Sequence, residues 1–291
     1  MIHRPLLSLV LLGGLLTGSQ AARAQATAPA YDPTVAHRSV QPLLLWPELQ
    51  GELALRNGDY LLLAVRGERS TESGRYVPRR LGFDNRRVTV AYEHFWNARW
   101  SWGGTARYES RSGAGYDLLV PELLVRHRSP IFGGLTFGQR LGVERQTPVN
   151  SNYLGGSGPK GQFWGRLRVD IERFFYLGDA ATGLALRPRL SYEASTHLRF
   201  QKEASDPDER TIQYTSLRGE VGVRLSPHVD FTPWFAYQTN YLQSLVFTDA
   251  SGRPVSGGKI NAVYPTVGLD LRYTILPAGG KADRQQLPTQ H

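Results

Sequence analysis

Three side chains on one predicted strand have the types that hydrolytic chemistry requires. Glu193, Ser195 and His197 lie two residues apart, so they share one face of an extended chain. A hydroxyl with a neighbouring base and an orienting carboxylate is the arrangement that activates a nucleophile. Such spacings are common by chance, and catalysis requires a geometry that spacing alone does not supply. A hydrolase acting on lipid is therefore an alternative hypothesis, and we expect no catalytic residues.

Two further segments have the composition of a ligand site without its spacing. Asp206, Asp208 and Glu209 are acidic, but they lack the ligand spacing and the glycine turn of a calcium loop. The segment 155–161 is rich in glycine, but it lacks the Gly-Lys-Ser/Thr that begins a phosphate-binding helix. The sequence contains no cysteine, which excludes disulfides, thiolate metal sites and cysteine nucleophiles. We therefore expect no metal site and no cofactor.

The most regular chemical feature is a series of arginine and acidic side chains that alternate with apolar ones. In the segment 162–176, Arg168 and Asp170 have one parity, whereas Val169 and Ile171 have the other. Opposite charges on one face of neighbouring strands can build a connected ionic network. We predict that this charged face is formed by Arg66, Glu68, Arg107, Glu109, Glu122, Arg126, Arg140, Glu144, Arg166, Arg168, Asp170, Glu172, Arg187, Arg189, Glu193, Arg218, Glu220, Arg224, Asp270 and Arg272.

The elements that position these residues are strands, because a period of two is typical of a chain with two different faces. Asn57-Gly58 between two alternating runs is a strong hairpin signal. The predicted strands are 46–56, 59–69, 86–96, 99–110, 117–128, 132–146, 162–176, 182–199, 211–225, 228–244 and 261–276.

Two all-β folds fit one charged and one apolar face. In a soluble β-sandwich the apolar faces form the core, and a secreted protein of this kind is an alternative that would bind glycans. In a closed antiparallel β-barrel of the outer membrane, the apolar faces contact lipid and the charged faces line the lumen. The strand lengths suit tilted strands that cross a bilayer, so we predict a barrel of about 12 strands, in the range 10–14.

Connections and aromatic residues favour the barrel. Short turns alternate with longer connections such as 70–85 and 245–260, as in outer-membrane barrels. Because bacterial barrels have even strand numbers, 35–45 is the candidate for a twelfth strand. Aromatic side chains gather near strand ends, where they can form girdles at the membrane surface. They include Tyr60, Trp96, Trp100, Trp102, Tyr153, Trp164, Phe174, Phe175, Tyr176, Trp234, Tyr241 and Tyr273.

The N-terminal residues have the layout of a secretory signal peptide. A short basic stretch precedes an apolar run at 6–16, and Ala22-Arg23-Ala24 is a small-x-small cleavage site. We divide the chain into a signal peptide at 1–24, a periplasmic linker at 25–44, a barrel at 45–276 and a polar tail at 277–291. No later stretch has the roughly 18 uninterrupted apolar residues of a membrane-spanning helix.

The net charge is +9, with 34 Lys and Arg against 25 Asp and Glu. A protein that binds nucleic acid concentrates its basic residues in one patch or helix. Here they are spread along the chain and interleaved with acids, so we expect no nucleic-acid partner.

Residues 266–273 of the last predicted strand resemble the C-terminal signal that the barrel-assembly machinery binds. Polar Thr266 precedes Gly268, and the hydrophobic Leu271 and Tyr273 follow it. The tail after it departs from that pattern. The segment from Trp46 to Arg69 and the later Tyr/Val…Glu…Arg repeats resemble the Bacteroidota envelope family described as domain of unknown function 2490. The resemblance covers about 45–276. It implies an outer-membrane β-barrel and supplies no activity.

The sequence thus predicts an exported outer-membrane β-barrel whose partners are outer-membrane lipid and the barrel-assembly machinery. Two interpretations of the interior remain open. It is either a narrow polar channel, because rings of charged side chains set selectivity, or an ionic plug in a structural or docking component of the envelope. No residue pattern identifies a specific protein partner.

Overall fold

The structure is a computed structural model that describes residues 30–72, 79–152, 159–177, 184–199 and 209–276. The predicted signal peptide, the first residues of the predicted linker and the predicted tail lie outside the described residues. So do Asp206, Asp208 and most of the glycine-rich segment 155–161.

The described residues form thirteen strands and one short 3-10 turn, Phe132–Gly134. The strands are β1 (His37–Val40), β2 (Leu44–Ala54), β3 (Tyr60–Ser70), β4 (Asn85–Phe95), β5 (Trp100–Arg111), β6 (Asp117–Pro130), β7 (Leu135–Val149), β8 (Gln162–Arg173), β9 (Phe175–Tyr176), β10 (Ala185–Leu198), β11 (Tyr214–Arg224), β12 (Val229–Thr248) and β13 (Pro254–Ile275). Each of the eleven predicted strands corresponds to one of them.

Eleven of these strands close into a barrel, which confirms the predicted all-β barrel fold. Successive strands from β2 to β13 pair in antiparallel fashion, with β8 followed directly by β10. The ring closes between β13 and β2, which pair in parallel from Thr266↔Leu44 to Ile275↔Leu53. With an odd number of up-and-down strands the first and last run in the same direction, so the closing pair is parallel. β9 pairs only with β10, outside the ring.

The prediction of a twelfth wall strand within 35–45 is wrong. β1 pairs in parallel with residues 260–263 of β13, just before the part of β13 that pairs with β2. Both strands therefore lie along the same edge of β13, and β1 continues the line of β2 instead of adding a strand to the wall.

The barrel is polar inside and apolar outside. Along β3, Leu61, Leu63 and Val65 are exposed, whereas the alternating residues such as Leu62 and Arg66 are buried. The same alternation of exposed and buried residues runs along β2, β5, β6, β7 and β10. A soluble β-sandwich with an apolar core does not describe this arrangement, because the apolar faces point away from the only enclosed space of the closed sheet.

The two ends of the barrel differ. At one end, called the turn end, four of the connections are short: 55–59, 96–99, 131–134 and 225–228. The opposite end, called the loop end, carries connections such as 71–84 and 199–213. The predicted long loop at 245–260 is wrong, because β12 and β13 extend through most of it and leave only 249–253 as a turn. Val246, Phe247 and Val255 supply the β-branched and aromatic residues that favour this extension.

The described N-terminal segment lies at the loop end. The backbone N–H of Gln41 donates to Val263, and that of Thr71 donates to Leu43 beside the connection 71–84. Ile275, the last residue of β13, lies at the turn end because β13 pairs there with the end of β2. In a barrel that spans a membrane, a periplasmic linker at 25–44 and periplasmic short turns therefore cannot both hold.

Asp59 fixes the first turn of the barrel. Its buried carboxylate accepts hydrogen bonds from Asn57 Nδ2 at 2.7 Å and from the Tyr92 hydroxyl, and it lies 2.9 Å from His94 Nδ1. Burial acts to raise the pKa of the Asp59 carboxyl, but the hydrogen bonds from Tyr92 and His94 outweigh burial and hold the pKa below its ordinary value of 3.8. The ionised form therefore stabilises the folded barrel.

The substitution Asp59→Asn tests this turn through the pH dependence of stability. A lowered pKa contributes stability above pH 3.8, and that contribution disappears as the pH falls through the pKa of the folded state. We expect D59N to lower the free energy of unfolding by about 1 kcal/mol at neutral pH, and the difference from wild type to shrink below pH 3.8. Urea unfolding across this range of pH measures it. A difference that does not change with pH would contradict the assignment.

Candidate binding cavity inside the barrel

All twenty residues of the predicted charged face point into the barrel. Eighteen of them are buried, and Glu68 and Arg166 are half-buried. Their ion-pair partners lie on the same strand, as in Arg107–Glu109 and Arg218–Glu220, on a neighbouring strand, or one strand further round the wall. The interior divides along the barrel axis into a packed layer near the turn end and an open cavity near the loop end.

The layer near the turn end is held by buried ion pairs. Arg126 Nη1 lies 2.6 and 2.8 Å from the two carboxylate oxygens of Glu93, which also accepts a hydrogen bond from Ser101. Because charges in a low-dielectric interior are costly unless paired, these contacts make the charged interior possible. The pairs are Arg126–Glu93, Arg140–Glu122, Arg189–Glu220, Arg218–Asp270, Arg224–Asp230 and Arg272–Glu52, with N–O distances of 2.6, 2.7, 2.8, 2.9, 3.5 and 3.2 Å.

Trp234 lies between this layer and the open cavity. Its indole Nε1 donates to Asp270 at 2.8 Å, and the guanidinium of Arg218 stacks over its ring at 4.0 Å while donating to the same carboxylate at 2.9 Å. A side-chain carbon at Gly268, on the neighbouring strand, would collide with the indole ring. Trp46 packs edge-on against Trp234, with ring centroids 5.8 Å apart. These contacts hold the indole rigidly across the interior.

The open part of the interior, called the cup, consists of two adjoining cavities of about 310 and 320 Å³ at the loop end. Both are lined by Arg87, Glu109, Arg111 and Tyr214. Neither lining includes Glu52, Glu93, Arg126, Asp230 or Arg272 of the packed layer, whereas Glu122, the partner of Arg140, lines the first cavity and so lies at the boundary. Among the described residues, the packed layer therefore forms the floor of the cup.

Several interior charges escaped the sequence prediction. Glu48 and Glu52 on β2, and Arg87 and Glu93 on β4, are buried or half-buried partners in the ionic network. The alternation of β2 contained this signal, because Glu48, Gln50 and Glu52 share one parity. On β4 the signal is weaker, because Thr89 and Ala91 separate the two charges.

The hypothetical catalytic group is not assembled. Glu193 and Ser195 point into the cup, but the Nδ1 of His197 lies 2.9 Å from Glu209 Oε2, and its ring stacks on Trp164. The hydroxyl of Ser195 has no hydrogen-bond partner among the described residues. Burial acts to raise the pKa of Glu209, but hydrogen bonds from Arg199 and His197 hold it below its ordinary range.

The predicted aromatic girdles are only partly outward-facing. Trp96, Trp100 and Tyr273 are exposed on the outer surface. Tyr60 and Trp234 are buried, so their assignment to a girdle is wrong. The period of two along β12 explains why Trp234 points inward, because its neighbour Phe235 is exposed. Within the described part of the chain, no group of three or more His, Asp or Glu side chains is placed to bind a metal ion. No helix among the same residues is long and apolar enough to span a membrane.

Glu93→Gln tests the packed layer. Removing this negative charge leaves the buried guanidinium of Arg126 without its counter-ion, and breaking a buried pair in this way costs about 3–5 kcal/mol. Glu68→Gln is the matched control, because Glu68 is less buried and its partner Arg87 keeps Glu109 at 2.8 Å. We expect a large loss of unfolding free energy in E93Q and less than about 1 kcal/mol in E68Q. Equal losses would show that the ion pair is not specifically stabilising.

Gly268→Ala tests the close approach of Trp234. The new methyl group must displace an indole that Arg218 and Asp270 hold from the other side, so we expect a loss of about 1–3 kcal/mol. Gly219→Ala, on the neighbouring β11, is the control because no atom lies within 4 Å of its added carbon. Thermal unfolding in micelles compares the two. A stable G268A protein beside a destabilised G219A protein would overturn the packing argument.

Comparison of the chain with protein-family models, with curated proteins and with solved structures found no match. The resemblance to the domain of unknown function 2490 therefore stays a prediction.

Proposed function

We propose that this chain is an exported outer-membrane β-barrel with a closed interior, and that it acts as a docking or binding component of the envelope. The observation that carries the proposal is the inverted polarity of the wall. Large aliphatic side chains are exposed all around the barrel, among them Leu49, Leu63, Leu123, Leu141 and Leu190 at 52–71%. Contiguous apolar surface of this extent is rare on a protein surrounded by water.

The closed sheet supports a membrane location for a second reason. Lipid offers no hydrogen bonds, so a spanning structure must satisfy every backbone group internally, and a closed barrel does so. Outer-membrane barrels combine an apolar outer band with a polar interior, as this chain does. The predicted signal peptide at 1–24 supports export, and outer-membrane lipid is then the partner of the outer face.

The interior favours a closed barrel over a channel. The ion pairs of the turn-end layer join strands around the ring, and Glu52, Glu93 and Asp270 are no more than 2% exposed. An ion that crosses the barrel would have to separate these pairs from one another, which costs several kcal/mol each. The cup ends on this layer, so it is suited to hold a ligand or a partner segment. The proposal includes no catalytic step.

We orient the turn end toward the periplasm. The last strand ends there, and this is the strand that resembles the signal for the barrel-assembly machinery. The cup then opens to the outside of the cell, and residues 30–43 lie on the same outer side.

Membrane fractionation of a Gram-negative host that expresses the full chain tests the location. We expect the protein in the outer-membrane fraction, with a gel mobility that changes on boiling because a folded barrel resists detergent. A soluble periplasmic or secreted protein without a mobility change would refute the membrane proposal.

Planar-bilayer recording of the same folded protein tests the closed interior. We expect no steady conductance, because the packed layer blocks the path. E93Q is a useful comparison, since it loosens that layer without shortening a side chain. A stable open level in the wild-type protein would refute the closed barrel and restore the channel interpretation.

A further inference from the structure

We infer that the cup binds a compact oxyanion, of the phosphate or phosphate-monoester class. This inference deepens the proposed function, because it names the ligand of the open cavity. It is carried by four guanidinium groups that converge on one space from β4, β5 and β8. They belong to Arg87, Arg107, Arg111 and Arg166, and all four line the 310 Å³ cavity.

The carboxylates of the cup lie behind the guanidinium groups. Seven ion pairs connect the four arginines to Glu68, Glu109, Glu144 and Glu193, and in every pair the arginine side chain is the more exposed partner. The largest differences are Arg111 at 38% against Glu109 at 8% and Arg166 at 16% against Glu144 at 2%, and the smallest is Arg107 at 10% against Glu109 at 8%. A molecule that enters the cup therefore meets cationic groups first.

Hydrogen-bonding capacity leads to the same ligand class. The carboxylate of Glu109 is shared by Arg87, Arg107 and Arg111, at 2.8, 3.3 and 3.1 Å. Each guanidinium has five N–H donors and no acceptor, whereas one carboxylate has about four acceptor positions. The first cavity as a whole is lined by these four arginines and Arg66, against the four carboxylates of Glu109, Glu122, Glu144 and Glu193. Guanidinium donors therefore outnumber carboxylate acceptor positions there, and the complementary ligand is one that only accepts.

A tetrahedral oxyanion meets this requirement better than a neutral ligand. Its oxygens accept several hydrogen bonds each, and guanidinium forks bind phosphate in a bidentate geometry. The volume of the cavity, about 310 Å³, admits inorganic phosphate or a small monoester and is at the lower end of the size of ligand pockets.

Arg111→Gln is the variant that tests the inference with least damage to the fold. Arg111 is the most exposed of the four converging arginines, and its partner Glu109 keeps Arg87 and Arg107. Arg145→Gln is the matched control, because Arg145 is an exposed arginine at the same end that stacks on Phe163 and lines neither cavity of the cup. Both variants remove one positive charge, so they separate the cup from the general charge of the barrel.

Calorimetric titration of the full-length protein in a neutral detergent, with inorganic phosphate as the probe, measures binding. We expect saturable one-to-one binding that R145Q leaves unchanged and that R111Q weakens about 10- to 100-fold, the loss of a charged hydrogen bond. Arg111→Lys keeps the charge without the fork and is expected to fall between wild type and R111Q. Glycerol phosphate as a second probe distinguishes a monoester site from one that accepts only the free ion, and saturable binding of either supports the oxyanion class.

Two outcomes would overturn the inference. The first is the absence of saturable heat with either probe in a protein whose gel mobility shows that it is folded. The second is equal weakening by R111Q and R145Q, which would mean that only overall charge attracts phosphate. Neither outcome touches the closed barrel, which conductance tests separately, and a conducting barrel that still binds phosphate would refute the proposed function alone.

Discussion

The pairing of guanidinium and carboxylate groups inside a closed sheet is the interaction on which this structure depends. A barrel with an apolar outer face has only a small apolar interior to drive its collapse, here alanines together with larger residues such as Leu62 and Val120. Its many buried charges must therefore be made compatible with burial by other means. Arg126 pairs with Glu93 and Arg218 pairs with Asp270, and each of these pairs joins two different strands of the barrel. Because single unpaired charges in such a space are strongly unfavourable, the network constrains the strands to one register.

The same interaction explains why the interior has two layers. Near the turn end each carboxylate is matched closely by its arginines and both are covered. Near the loop end the longer arginine side chains extend past the glutamates, which leaves space and an excess of donors. The ring of Trp234 lies between the two layers. Arg218 covers one side of it, and the absence of a side chain at Gly268 leaves room for it on the neighbouring strand. The difference between the two layers thus follows from the greater length of arginine than of glutamate side chains and from the absence of a Cβ at Gly268.

Much of the fold could be predicted from the period of two in the sequence, which located eleven strands and the charged face of eight of them, but not of β2, β4 or β12. Parity also assigns Trp234 and Tyr60 to the interior, although their position near strand ends suggested a girdle. The closing pair could not be predicted, because parity within strands carries no information on which strands meet. The extension of β12 and β13 was hidden by glycines at 257 and 258, which are typical of loops but here lie against Leu245 and Pro33.

The charged residues of the cup were only partly predictable for a related reason. The sequence places Arg107, Glu109 and Arg111 on one face of β5, but the third arginine that shares the Glu109 carboxylate, Arg87, comes from β4 and depends on the stagger of the two strands. Arg87 was missed because the residues around it do not alternate strongly. The excess of donors over acceptors is a property of the assembled ring.

The parallel contact between β2 and β13 has a topological consequence. An even ring brings both ends of a chain to the same rim, whereas this odd ring brings Leu44 to one rim and Ile275 to the other. In a barrel that spans a membrane, the two ends of the barrel segment therefore lie on opposite sides of that membrane. A label placed before β2 and a label placed after β13 would lie on opposite sides. The accessibility of one label can therefore be compared with that of the other in the same molecule.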